Sequence, residues 1–197
     1  DEESRPQALR TIERLESFDA ALCFECGRVD GSVVSARKGG RWLRVRARGR
    51  ASHAGVAPND GRNAAHAVCE EALRLRALDG ARDGMTLQIT GLEGGIGLNT
   101  VPEHAALTAD LRAVRADELE WAMEQIHAFP DHPDVELELH DLGGPPPLER
   151  SPHVLRLAET ALGLGRELGH DFAHALTGGV SDGSWTAWHG IPTLDGL

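Results

Sequence analysis

The sequence contains few cysteines and no apolar run long enough to span a membrane. Three cysteines in 197 residues are too few for a disulfide framework, which favours a soluble protein of a reducing compartment, the cytoplasm. Cys23 and Cys26 form a CxxC pair, but the apolar stretch around them predicts a strand. A strand points residues three apart to opposite faces. A redox or structural-zinc role for this pair is therefore disfavoured.

Carboxylates outnumber positively charged residues, with 31 aspartates and glutamates against 20 lysines and arginines. The formal net charge is -11, and a surface with this excess of carboxylates repels the phosphates of nucleic acids. The exception is a run of arginines between Arg41 and Arg50 that alternates with Leu43, Val45 and Ala47. This alternation predicts the solvent-facing side of a strand. The alternative, an Arg-rich nucleic-acid binder, requires a steep salt dependence that we do not expect from an acidic chain.

The middle of the chain alternates regularly between strand and helix patterns. Within residues 38–142 the order is β-α-β-β-α-β, which is typical of a ferredoxin-like domain. Two amphipathic helices then cover one face of a four-stranded antiparallel sheet. The patterns behind this order are strands over 41–49, 85–90, 104–112 and 135–139, and helices over 63–78 and 117–127.

The residues on either side of this insert, 1–37 and 143–197, have the patterns of two pieces of one α/β domain. Gly27 to Gly40 is polar and contains glycine, so we interpret it as a link between domains. The predicted elements of the flanks are a helix over 6–16, a strand over 20–25, a helix that begins at Ser151-Pro152, a glycine-rich turn over 177–183, a short helix through His189 and a strand over 191–194.

Three carboxylates in the first flank are candidates for metal chemistry. Glu2 and Glu3 are adjacent, so their side chains diverge, and one can bind a metal while the other serves as general base. Most such pairs are solvated surface. Glu25 lies among apolar side chains, where an unpaired carboxylate is costly to bury, so a metal or an arginine is the expected partner.

Four further residues could contact a substrate. His53 follows a predicted strand among small residues and can point into a cleft, although an ordinary surface histidine has the same pattern. Asn99 lies in a glycine-rich loop, and Arg112 ends the next strand with a side chain suited to bidentate carboxylate binding. The Gly179 loop could present backbone N–H groups to a carboxylate or oxyanion, or could be a plain turn.

Together these motifs resemble one family, the dizinc metallopeptidases that include glutamate carboxypeptidase, acetylornithine deacetylase, succinyl-diaminopimelate desuccinylase and aminoacylase. The resemblance implies an α/β fold in which a partial zinc-peptidase-type catalytic domain is interrupted by a ferredoxin-like dimerisation or lid domain. The motifs, in chain order, are Asp1-Glu2-Glu3, Phe24-Glu25, Ser52-His53-Ala54-Gly55, the Gly94–Asn99 loop, Asp110-Leu111-Arg112 and the Gly178–Gly183 loop.

The resemblance also implies a role for each candidate residue. Glu2 would be the general base, and Glu3 and Glu25 would be zinc ligands in a site of two zincs, with cobalt or manganese as possible substitutes. His53 would polarise the scissile carbonyl or hold its oxyanion. Substrate contacts are implied for Asn99, Arg112 and Gly179. The implied reaction is hydrolysis of an amide in an N-acyl amino acid or small peptide with a free carboxylate, by a homodimer.

The chain also departs from the family pattern. No initiator methionine precedes Asp1. The family's early histidine and bridging aspartate are expected upstream of Asp1, and its last histidine ligand beyond Leu197. With two of five expected ligands, an isolated 197-residue fragment is expected to be inactive. The alternative is therefore a non-catalytic relative or fragment that acts as a dimerisation or binding module.

Overall fold

A computed structural model describes residues 18–128, 130, 132 and 134–197. The predicted helix over 6–16, together with Glu2 and Glu3, lies outside these residues. The chain divides into two units. The insert unit comprises Arg41–Arg112 and Asp117–Gly144, and the parallel unit comprises the described residues up to Gly40, Ala113–Ala116 and Pro145–Leu197.

The described residues form ten strands and four α-helices. The strands are β1 (Ala21–Leu22), β2 (Val33–Arg37), β3 (Gly39–Arg48), β4 (Ser52–His53), β5 (Thr86–Gly94), β6 (Thr100–Val101), β7 (His104–Ala113), β8 (Glu136–Asp141), β9 (His174–Thr177) and β10 (Thr193–Leu194). The helices are α1 (Ala64–Arg76), α2 (Ala116–His127), α3 (Pro152–Glu167) and α4 (Gly183–Trp188), with a 3-10 turn at Pro58–Asp60.

The insert unit contains a four-stranded sheet in the order β5-β7-β3-β8. β5 pairs antiparallel with β7, and β3 pairs antiparallel with β8. In β3 the apolar residues Leu43, Val45 and Ala47 are buried, while Arg46 and Arg48 are exposed, because successive side chains of a strand face opposite sides. The predicted β-α-β-β-α-β order of a ferredoxin-like domain is confirmed. The interpretation of the arginines as the solvent-facing side of a strand is confirmed as well.

The two helices of the insert unit each bury one apolar stripe and are joined by an arginine. Arg74 of α1 forms an ion pair with Glu71, whose side chain is fully buried. The same guanidinium donates to the carbonyls of Gln125 and Ile126 at 2.8 and 2.9 Å. Carbonyls at the end of a helix have no partner within it, so Arg74 satisfies the end of α2 while it pairs with Glu71.

The parallel unit is built from two pairs of short parallel strands, and the bridge between the two pairs is antiparallel. β1 pairs with β10 and β2 with β9, each parallel. Val34 and Asp195 exchange backbone hydrogen bonds of 2.7 and 2.9 Å, which joins β10 to β2. Helix α3 packs Ala158 against Val33 and Leu194. It begins as predicted, with the Ser151 hydroxyl accepting from the Val154 N–H at 3.2 Å and proline in the first turn.

The interpretation of residues 27–40 as a polar link is wrong. Val33–Arg37 is a strand in which every residue is buried. Its polar residues are satisfied by distant partners: the Ser35 hydroxyl lies 2.6 Å from Nδ1 of His174, and Arg37 binds Asp195. A parallel strand that is buried on both faces shows no alternation of apolar and polar residues. Because the polar residues of β2 find their partners in distant parts of the chain, the sequence pattern of this strand is easily mistaken for that of a loop.

Within the part of the chain that the structure describes, no helix is both long and apolar enough to cross a lipid bilayer.

Candidate functional site

His53 and Asn99 are brought together by a two-stranded ribbon that extends from the insert sheet. β4 pairs antiparallel with β6, with Ser52 opposite Val101 and His53 opposite Thr100. The Ala54 N–H donates to the Asn99 carbonyl at 2.8 Å. The ribbon therefore places residues that are 46 positions apart next to each other, and both side chains are exposed.

Two glycines allow this ribbon to pack closely. A Cβ on Gly49 would lie 2.0 Å from the Arg62 carbonyl oxygen, and one on Gly61 would lie 2.5 Å from the Ser52 hydroxyl. Both distances are far below van der Waals contact, so a larger residue would push the segment away from its neighbours. The loop that carries His53 is thereby held at both ends by backbone packing.

Hydrogen bonds select the tautomer of the His53 ring. Its Nδ1 accepts from the N–H groups of Gly55 and Val56, each at 3.2 Å. A ring nitrogen that accepts carries no proton, so the proton of the neutral ring is on Nε2. His53 therefore presents an N–H donor on the side of the ring that faces away from its own turn.

Asn99 adds a second donor beside the first. Its Nδ2 lies 3.5 Å from His53 Nε2, and its Oδ1 accepts from the Thr100 hydroxyl at 3.5 Å. With a proton on Nε2, the two nitrogens do not hydrogen-bond to each other. Both present N–H groups to the same space, an arrangement that suits one shared acceptor such as a carbonyl oxygen or an oxyanion.

Glu25 lies in the parallel unit, beyond the carboxyl end of β1, and is half-buried. Asp195 follows the neighbouring strand β10 in the same direction. In parallel sheets this edge is where ligands bind. Cys23, on the same segment, is a free thiol, and burial, followed by the nearby Asp195 carboxylate, raises its pKa. A raised pKa keeps the Cys23 thiol protonated, and a protonated thiol is a poor nucleophile and a poor metal ligand.

The Gly178–Gly183 loop follows β9 and is anchored to a buried ion pair. Arg37 Nε and Nη2 donate to the two oxygens of Asp195 at 2.9 Å each, and Nη1 donates to the Gly179 carbonyl at 3.1 Å. The Ser181 hydroxyl donates to Asp195 and accepts from the Gly183 N–H at 3.2 Å. Gly179 itself is exposed, so the loop reaches the surface while its supports stay buried.

Arg112 is not brought together with His53 and Asn99. It lies eight residues along β7 from His104, a distance of roughly 27 Å at about 3.4 Å per residue. Its Nε and Nη2 donate to Asp110 at 2.6 and 2.8 Å, and its guanidinium stands 6.0 Å from the ring centroid of Trp42. The side chain that the sequence suggested for a substrate carboxylate thus binds a carboxylate of the protein.

The described residues do not form a metal site by themselves. A catalytic zinc needs about three protein ligands. Among residues 18–128, 130, 132 and 134–197, no three His, Cys, Asp or Glu side chains are grouped so that they could hold a metal. Glu25 has the right chemistry for one ligand and lies at the right edge of the sheet. The described residues alone do not fit a complete zinc site.

Comparison with known proteins identifies the family. Residues 35–138 match the M20 model described as a peptidase dimerisation domain, and this match covers more than half of the chain. The chain belongs to the M20 peptidase family. The matched segment contains β3, β5, β7 and the first half of β8, together with His53, Asn99 and Arg112.

Individual M20 relatives extend the similarity to both flanks. The chain is 26% identical over 190 residues to carboxypeptidase G2 of a Pseudomonas species, covering 94% of this chain and 46% of the relative. Aminopeptidase PepT of Bacillus cereus matches with a TM-score of 0.80 at 23% identity, covering 98% of this chain and 53% of that one. An amidase of the hydantoinase/carbamoylase family from Burkholderia vietnamiensis matches with a TM-score of 0.69 at 16% identity, covering 88% of this chain and 44% of that one. The chain thus spans about half of the length of these relatives.

Sequence reasoning did not find the residues that support the Gly179 loop. Arg37 stands in a segment that we interpreted as a link, Ser181 lies in the Gly178–Gly183 motif without a role assigned to it, and Asp195 belongs to no motif. The one available signal was Arg37 at the end of the run Val33-Val34-Ser35-Ala36. A charge that ends a short apolar run requires a partner when it is buried, although the sequence does not show which residue provides it.

Proposed function

We propose that this chain is part of a zinc-dependent hydrolase that cleaves an amide bond in N-acyl amino acids or small peptides with a free carboxylate. The observation that carries the proposal is the pair of N–H donors, His53 Nε2 and Asn99 Nδ2, on the ribbon of the insert unit. The relatives support the reaction class, since their names include a carboxypeptidase, an aminopeptidase and an amidase.

In this proposal the donor pair binds the carbonyl oxygen of the scissile amide. As water adds to the carbonyl carbon, negative charge develops on that oxygen, and donors held in place stabilise it without reorganising. Fixing Nδ1 of His53 as an acceptor keeps its Nε2–H available for this role throughout the reaction. Asn99 provides the second N–H of the pair.

The remaining roles follow the family resemblance. Glu2 would take the proton of the attacking water and return it to the leaving amine. Glu3 and Glu25 would hold zinc, with cobalt or manganese as substitutes, and the metal supplies Lewis-acid chemistry when bound. The loop at Gly179 would contact the substrate. Arg112 remains a candidate for the substrate carboxylate, in which case its pair with Asp110 must open or be shared.

We also propose that the molecule is a cytoplasmic homodimer. The dimer is supported by the description of the matching family model as a dimerisation domain. The location is supported by the three cysteines, which are free thiols. The second candidate function, a non-catalytic dimerisation or binding module, is favoured by the incomplete ligand set among the described residues.

The test is turnover by the full-length, metal-loaded protein with His53 replaced. His53→Ala should lower kcat for hydrolysis of an N-acetyl amino acid by about 10²- to 10³-fold, the effect of losing one oxyanion donor, with little change in KM. His66→Ala is the matched control, because His66 is an exposed histidine on α1. Equal rates in wild type and His53→Ala would refute the donor role. A dimeric wild type that hydrolyses none of a panel of N-acyl amino acids would favour the binding-module alternative.

A further inference from the structure

The parallel unit buries a complete ion pair next to its exposed glycine loop. Asp195 is fully buried and Arg37 is 7% exposed. Charges are expensive to remove from water, and apolar side chains of the same volume often give equal or greater stability. An ion pair at this position therefore calls for an explanation other than stability.

Both members of the ion pair contact the loop of residues 178–183. Arg37 holds the Gly179 carbonyl at 3.1 Å, and Asp195 accepts from the Ser181 hydroxyl. A Cβ on Gly183 would lie 2.7 Å from Asp195 Oδ2, so the backbone approaches the carboxylate as closely as glycine allows. The ion pair thus contacts the beginning, the middle and the end of the loop.

The contact to Gly179 fixes the direction of one peptide group. In a trans peptide the N–H points opposite to the C=O, and the described residues contain no cis peptide. With the Gly179 carbonyl directed at Arg37, the Val180 N–H is directed away from the ion pair. It has no hydrogen-bond partner within the described part of the chain. An outward N–H next to an exposed glycine can bind an anionic oxygen.

We propose that Arg37, Asp195 and Ser181 are positioning residues that hold the 178–183 loop with its Val180 N–H toward a carboxylate of the substrate. The inference rests on the proposed function, in which this loop contacts the substrate. Arg37 orients the peptide, Asp195 orients Arg37, and Ser181 connects the loop to Asp195. None of the three side chains needs to touch the substrate.

The test compares three variants of the full-length, metal-loaded protein. Ser181→Ala removes one support but keeps the ion pair, and Arg37→Lys keeps the charge but loses the forked contact. Arg74→Lys is the matched control, because Arg74 also joins a buried carboxylate to backbone carbonyls, in the insert unit. All three should lower the melting temperature. Only Ser181→Ala and Arg37→Lys should raise KM for an N-acetyl amino acid, by about tenfold, with kcat nearly unchanged.

Two results would overturn the inference. One is an unchanged KM in Ser181→Ala and Arg37→Lys while their melting temperatures fall as in Arg74→Lys. The other comes from a titration with N-acetylglycine, followed by the amide resonance of Val180. The wild type should show a saturable shift, and Ser181→Ala should need about ten times more ligand. The absence of a shift, or equal saturation in both proteins, contradicts the inference. Because the titration requires no turnover, it decides the matter even if the proposed hydrolysis fails.

Discussion

The insert unit and the parallel unit both bury a sheet, but the sequence patterns of their strands and ion pairs differ. In the insert unit, β3 alternates apolar and charged residues, and the ion pair Glu71–Arg74 is formed three residues apart within one helix. In the parallel unit, β2 is buried throughout, and its ion pair joins residues 158 positions apart. The strands and the ion pair of the insert unit thus follow from local sequence patterns. Those of the parallel unit depend on pairings between residues from the two ends of the chain.

The difference also concerns the placement of polar groups. The insert unit exposes its candidate donors, His53 and Asn99, on a ribbon at the surface. The parallel unit keeps Arg37, Ser181 and Asp195 buried and exposes Gly178 and Gly179 of the glycine loop. We therefore expect side-chain replacements to affect catalysis directly in the insert unit and through backbone geometry in the parallel unit.

The largest effect on stability is expected from Asp195→Ala. This change leaves the Arg37 guanidinium buried without its carboxylate, which costs about 3–5 kcal/mol. Hydrogen exchange of the β2 and β9 amides measures the loss, and the β3 and β7 amides of the insert unit should keep their protection. The double variant Arg37→Met with Asp195→Leu should recover most of it. A loss below about 1 kcal/mol for the single change would show that the pair is not desolvated as the structure indicates.

A smaller effect is expected from Glu71→Ala in the insert unit. The Arg74 side chain is 26% exposed, so water partly solvates it after its partner is removed. We expect a loss of about 2 kcal/mol, measured by exchange of the α1 and β5 amides. Because the pair is local, the β2 and β9 amides should be unaffected. A loss as large as that of Asp195→Ala would remove the contrast between the two units.

The smallest effects are expected at the helix starts, where each unit offers one matched cap. Asn63→Ala removes an acceptor for the N–H groups of Ala65 and His66, and Ser151→Ala removes an acceptor for Val154. Each replacement should lower the free energy of unfolding by about 1 kcal/mol. The loss should be larger for Asn63→Ala, because Asn63 accepts from two N–H groups. Urea unfolding of the two variants measures the difference. A larger loss for Ser151→Ala would contradict this order.

Much of the fold could be predicted from local patterns, and the exceptions have a common cause. Both helices and all four strands of the insert sheet follow from alternation and helical spacing, and the start of α3 follows from Ser151-Pro152. Strands β2 and β9 could not be predicted because Ser35, Arg37 and His174 are polar, and the partners that satisfy them lie more than a hundred residues away.

The candidate site was predictable in its residues but not in its geometry. Motif order pointed to His53 and Asn99, whereas their proximity and the His53 tautomer depend on the β4–β6 pairing and on two backbone N–H groups. The sequence also did not indicate that Arg112 pairs with Asp110. Spacing along a chain can suggest a carboxylate-binding arginine without showing which carboxylate it binds.

Metal removal is the sharpest test of the proposed zinc-dependent amide hydrolysis. Purified full-length protein is incubated with a panel of N-acyl amino acids, and release of the free amine is measured before and after chelation. We expect release that is lost on chelation and restored by zinc, with about two zincs bound per chain, the number that the family resemblance implies. Zinc-loaded, folded and dimeric protein that releases no amine from any substrate would contradict this expectation.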